Sequence, residues 1–229
     1  MNSNRKTAII VGVLFIIATV APITSILFIG SIYEPDYLTA VSANENQVLI
    51  GALLWLVMTA AIVSIPIFMF PILKKYNESL ALGYVGARIF EGFFPAFNII
   101  SLLSLLSLSR EFVNAAAPVA SYFQTSGAII LSALDWSSIL GGFPFVLGAL
   151  TLNYVLYKSK LIPRWLSGWG FIGGVLYGSG ALAGDMFGLI DPTILFIALA
   201  IQEMALAVWL IVKGFNSSAI AQSEKLEIK

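Results

Sequence analysis

Residues 193–210 read TILFIALAIQEMALAVWL, an apolar run in which Glu203 is the one ionisable group. About 20 such residues cross the hydrocarbon core of a bilayer as a helix, because every backbone N–H and C=O is then satisfied within the segment. A carboxylate in the middle of that run costs at least about 2.5 kcal/mol in lipid and persists only where it is paired, hydrated or used. The run therefore predicts a membrane helix and, within it, a polar point.

The same reading extends over the rest of the chain. Hydrophobic residues make up 59% of the 229 positions and charged residues 10%, a balance far from that of a soluble domain. Six stretches are long enough to span, at about 7–31, 48–73, 79–108, 128–157, 166–187 and 193–213. The fold class expected is all-α, a polytopic bundle of six transmembrane helices forming one domain over residues 1–215, with a polar cytoplasmic tail at 216–229. The first stretch follows Arg5 and Lys6 and is too long for a signal-peptide core, so it reads as a retained anchor.

Loop charge sets the expected orientation. Ser31 to Gln47 carries Glu34, Asp36 and Glu45 without a Lys or Arg, and the Asp185 to Asp191 loop is also acidic. Lys74 and Lys75, then Lys158, Lys160 and Arg164, then Lys213, Lys225 and Lys229 follow the second, fourth and sixth helices. Basic residues thus alternate sides with Arg110 as the loop exception, which predicts that both termini are cytoplasmic. Tyr33, Tyr37 and Trp136 mark the outer headgroup level, and Tyr76, Tyr157, Trp165 and Trp209 the inner one. Pro118 to Ala133 is expected to be an outer-surface or re-entrant piece, with a helix starting near Asp135 and the Asp135 carboxylate of the Asp135–Trp136 pair capping it at the interface.

Arg88 and Glu91 lie roughly 12 and 17 Å into the third helix, at a depth that overlaps Glu203. Arg88, Glu91 and Asn98 share one face by their spacing. The expectation is that Arg88 bridges Glu91 and Glu203, tying the third helix to the sixth. Two carboxylates against one guanidinium make a centre that either clamps the fold or accepts a proton, an ion or a cationic small molecule. Gln202 points about 100° away from Glu203.

Absences narrow the chemistry. The chain has no Cys and no His, so thiol nucleophiles, zinc–thiolate sites, imidazole bases and histidine metal sites are excluded. No nucleophile–base constellation forms around its serines, no cofactor or metal is expected, and no basic face suits nucleic acid. Gly170, Gly174 and Gly178 recur every four residues on the fifth helix, a spacing that serves close packing inside the bundle or a homo-oligomer contact. Membrane lipids are the expected surroundings.

Several segments together resemble a bacterial membrane-protein family known as domain of unknown function 4386. They are Ala87-Arg88-Ile89-Phe90-Glu91-Gly92, Asp135-Trp136, Tyr157 through Pro163-Arg164-Trp165-Leu166, Gly170 to Gly174, and Glu203 through Trp209 to Phe215. The likeness implies an inner-membrane protein with about this number of spans, and it carries no activity, substrate or cofactor. Family members often place a His before the Asp-Trp pair where this chain has Leu134, so no imidazole role transfers. Three functions fit the residues: a small transporter or ligand-binding membrane protein, a structural or regulatory subunit of a membrane complex, and an intramembrane lipid-modifying enzyme using Glu91 or Glu203 with Asp135.

Overall fold

The computed structural model describes residues 3–115 and 120–221, and among them every regular element is helical. The elements are α1 (Ser3–Ile29), a short 3₁₀ turn (Gly30–Tyr33), α2 (Tyr37–Ala43), α3 (Glu45–Leu73), α4 (Glu78–Asn114), α5 (Ala120–Ser159), α6 (Arg164–Gly180) and α7 (Thr193–Val212). A π-helical segment, Ala181–Met186, prolongs α6. Five helices, all but α2 and α6, are long and apolar enough to cross a membrane.

Six of these helices stand in a ring that follows chain order. α1 packs on α3, α3 on α4, α4 on α5, α5 on α6 and α6 on α7, and α7 closes the ring against α1. Apolar side chains cover the outside, including Leu27, Phe93, Ile100, Ile129, Leu147, Ile172 and Ile194, all at least 60% exposed in the bare chain. A surface of this kind is stable only against lipid or another apolar partner.

Two apolar clusters close the interior at opposite ends. Phe15, Ile65, Met69, Tyr84, Leu152, Leu156, Leu206 and Leu210 fill the end where α1 begins and α7 finishes. Ile29, Ile32, Leu38, Val41, Val48, Leu102, Leu105 and Phe123 fill the other. The polar residues of α4 and α7 lie between them.

Two features depart from expectation. α4 has 37 residues and α5 has 40, which at 1.5 Å per residue is about 55–60 Å, nearly twice the roughly 30 Å hydrocarbon core. Their far ends extend past the spans, and α2 packs across α4 there, with the Tyr37 hydroxyl donating to the Gln124 carbonyl at 3.0 Å. No helix starts at Asp135: α5 runs unbroken from Ala120, so the carboxylate sits inside the helix and caps nothing. The cause is a buried stripe upstream, Phe123 and Leu134 with Ile130 and Leu131 beside it, which packs on α2 and α4 and holds the segment helical. Pro118 and the tail from residue 222 lie outside the described residues.

The glycines of the α6 stripe face inward. Gly170, Gly174 and Gly178 pack against Asn153, Leu150 and Val146 of α5. At Gly170 a Cβ would fall 2.2 Å from Asn153 Oδ1, so any side chain there would have to displace the Asn153 amide.

Candidate functional site

α4 begins at Asn77, whose side chain accepts from the Leu80 amide at 2.9 Å. From that cap, Tyr84, Arg88, Glu91, Pro95 and Asn98 follow at steps of four, three, four and three, and so line one face of the helix. The face turns into the ring. Arg88 is 3% exposed and Glu91 and Asn98 are each 8% exposed.

Arg88 reaches Glu91 directly, with Nη1 to Oε2 at 2.9 Å. Its stem fits because residue 148 is glycine: a Cβ there would lie 2.9 Å from Arg88 Cδ. The guanidinium also lies over the Phe145 ring at 5.6 Å, a desolvated cation–π arrangement. The expected bridge to Glu203 is not made. Among the described residues Arg88 has its ion pair within its own helix, and Glu203 stands across a gap from it on α7. The reason is angular, since Arg88 extends toward Phe145 and Gly148 of α5 while Glu203 comes in from the side of α7.

Two spaces meet at Glu203. A void of about 10 Å³ lies among Tyr84, Arg88, Asn153, Gln202 and Glu203, on the scale of one water molecule. A larger cavity of about 820 Å³ takes its walls from all six ring helices and opens to the outside of the ring where the exposed Ile23, Ile26 and Ile197 line it. Glu91, Asn98 and Glu203 supply polar atoms to it, and Phe94, Phe145, Tyr177 and Phe196 supply aromatic surface. Phe145, Tyr177 and Phe196 form a continuous aromatic chain, Phe145 edge-to-face with Tyr177 at a centroid distance of 4.9 Å and Tyr177 tilted against Phe196 at 4.3 Å. Arg88 does not line this cavity. Its charge lies behind the carboxylates, so the wall presents acid to the space.

Several buried polar atoms here have no hydrogen-bond partner: Tyr84 Oη, Arg88 Nε, Asn98 Oδ1 and Gln202 Oε1. Each unsatisfied group of this kind costs about 1–3 kcal/mol. Tyr84, Arg88 and Gln202 border the small void and Asn98 the larger space, the pattern of sites completed by water, ion or ligand. Asn98 is held by its other end, Nδ2 donating to Ser138 Oγ at 2.8 Å.

A family model matches residues 10–214, from α1 to just past α7. The chain belongs to that family, Domain of unknown function (DUF4386). No curated protein and no solved structure matches it. The DUF4386 region thus reaches all six ring helices, α1 from residue 10 onward, and contains every residue of the centre.

Within this DUF4386 chain the remaining candidates separate by position. Asp135 and Trp136 are exposed on α5, away from the centre, and among the described residues no hydrogen bond or ion pair links Asp135 to either glutamate. Asp135 lies instead near Tyr33, whose phenol is raised above its ordinary value by burial and by that carboxylate. Gln202 does point away from Glu203, into the contact between α7, α5 and α6, where Nε2 donates to Asn153 Oδ1 at 3.3 Å and to the Leu166 carbonyl at 3.2 Å. Asn153, Tyr84, Phe145, Tyr177 and Phe196 are absent from the candidates read from sequence. Tyr84 carried a signal, one turn before Arg88, but the aromatic residues read as ordinary membrane-helix composition.

Proposed function

We propose that this DUF4386 protein is a six-span protein of a bacterial inner membrane that binds, and by the same site transports, a small organic cation in its central cavity. The observation that carries the reading is the 820 Å³ cavity with Glu91 and Glu203 on its wall and Arg88 behind them. Ligand pockets of about 300–1,000 Å³, mostly apolar with a few placed polar groups, accept drug-sized molecules. One guanidinium against two carboxylates leaves an uncompensated acidic group when both are ionised, and the Phe145–Tyr177–Phe196 cluster supplies aromatic surface beside it for a cation. A fixed clamp is disfavoured on geometry, because a pair three residues apart within α4 joins no two helices.

The orientation has its own support. Arg5 at the start of α1 donates to the carbonyls of Leu210 and Ile211 at 2.9 and 2.5 Å, at the end of α7. The two chain ends thus share one end of the bundle, as an even number of spans requires, with α6 and its π-helical extension as the sixth. Arg110, the exception to the basic-side rule, lies at the opposite end, where it is paired with Glu45.

Binding of tetraphenylphosphonium to the detergent-purified protein, followed by isothermal titration, tests the site. Saturable binding is expected, weakened at least about tenfold by Glu203→Gln, a loss of about 1.4 kcal/mol. It should weaken as pH falls, because protons neutralise the carboxylates that attract the cation. Equal binding by the parent and Glu203→Gln, or equal binding of an uncharged analogue of the same size, rejects the reading.

A further inference from the structure

A second pocket, of about 490 Å³, lies at the end of the bundle where α1 begins and α7 finishes, remote from the central cavity. Its walls come from the link between α5 and α6 and from the segment after α7. Lys160, Arg164 and Lys213 line it together with Trp209, Phe215 and Asn216, and no acidic side chain among the described residues does.

The two segments are fastened to each other. The Asn216 amide donates to the Leu161 carbonyl at 2.8 Å, and Asn216 Nδ2 donates to the Lys160 carbonyl at 3.3 Å. Gly214 makes the turn out of α7 at φ 75°, and a Cβ on it would meet Arg5 Nη1 at 3.1 Å. Lys160 sits at φ 56°, a left-handed conformation that Gly or Asn adopts more easily. Lys160 thus joins the pocket wall at a fixed point of the chain. α6 starts at Arg164, so the positive end of its dipole adds to the same field.

We propose that this pocket is a binding site for the phosphodiester headgroup of an anionic membrane lipid. Three cations with no acidic side chain among the described lining residues match a phosphate in charge, and Arg164, whose guanidinium rests over the Tyr157 ring at 5.1 Å, adds planar donors for its oxygens. Trp209 and the exposed Trp165 place the pocket at headgroup depth, and the apolar surface of α5, α6 and α7 leads from it to the acyl region. Basic pockets between helices at this level recognise anionic headgroups where a zwitterionic lipid gains less.

Native mass spectrometry of the detergent-purified full chain tests this with phosphatidylglycerol, phosphatidylcholine and inorganic phosphate as probes. Phosphatidylglycerol is expected to stay bound in preference to phosphatidylcholine, with affinity reduced about fivefold by Arg164→Gln or Lys213→Gln. Lys158→Gln, which removes an exposed charge on the last turn of α5 outside the pocket, should leave it unchanged. Glu203→Gln should also leave it unchanged, which separates this site from the cation cavity. Melting temperatures recorded in parallel identify a variant that fails to fold, and Lys213→Gln then carries the comparison. Equal retention of the two lipids, an equal loss on Lys158→Gln, or inorganic phosphate binding as tightly as phosphatidylglycerol would each overturn the proposal.

Discussion

Replacing Arg88 by Met keeps most of the stem that fills the space over Gly148 and removes the charge. Glu91 is then left 8% exposed with no cation within ion-pair distance among the described residues. Removing one partner of a buried pair costs about 3–5 kcal/mol, because the other charge stays desolvated. At about 2–4 °C per kcal/mol for a chain of this size, the melting temperature should fall by about 6–20 °C. The double variant Arg88→Met/Glu91→Leu should recover most of that loss, since two apolar side chains of similar volume leave nothing buried and unpaired. Arg110→Met supplies the internal comparison: its pair with Glu45 has side chains 48% and 39% exposed, and its melting temperature should match that of the parent. Thermal unfolding in one detergent, followed by intrinsic fluorescence, measures all three. A single Arg88→Met variant as stable as Arg110→Met, or a double variant less stable than the single, would refute the assignment of Arg88–Glu91 as a desolvated pair.

Gly148→Val should displace the Arg88 stem, break its contact with Glu91 and lower both melting temperature and tetraphenylphosphonium affinity; unchanged values for both would show that the space over residue 148 is not needed. Arg5→Ala removes donors from the last carbonyls of α7 and should destabilise the protein by about 1–3 kcal/mol, with faster hydrogen exchange at 209–213 as the local readout. Asp191 accepts from the Thr193 amide at 3.0 Å, and that hydrogen bond holds its carboxyl below the ordinary value. Its contribution is present above about pH 3.9 and is lost as pH falls through the depressed folded value, so Asp191→Ala should flatten the acid limb of a stability–pH profile.

Glu203 shows how far the sequence reaches into the site and where it stops. A charge among apolar residues is expensive in lipid wherever its helix packs, so Arg88, Glu91 and Glu203 could be singled out by position alone. Their partners could not. Whether Arg88 meets Glu91 or Glu203 depends on which way its side chain leaves α4, and that was settled by a glycine and a phenylalanine on α5, some sixty residues away in the chain. Asn153 carries no signal in the sequence for the same reason: its contacts are Gly170 on one side and Gln202 on the other.

Helical class, the approximate limits of the apolar stretches, the basic and acidic ends and the depth of the ionisable groups all follow from the order of residues, because rise along a helix axis is constant and hydrocarbon penalises charge locally. Rotation about each axis, the continuation of α5 through Asp135, the inward turn of the glycine stripe and the opening of a cavity between Glu91 and Glu203 belong to the assembled ring. These depend on the summed contacts of several helices at once, each too weak to be read from any one of them.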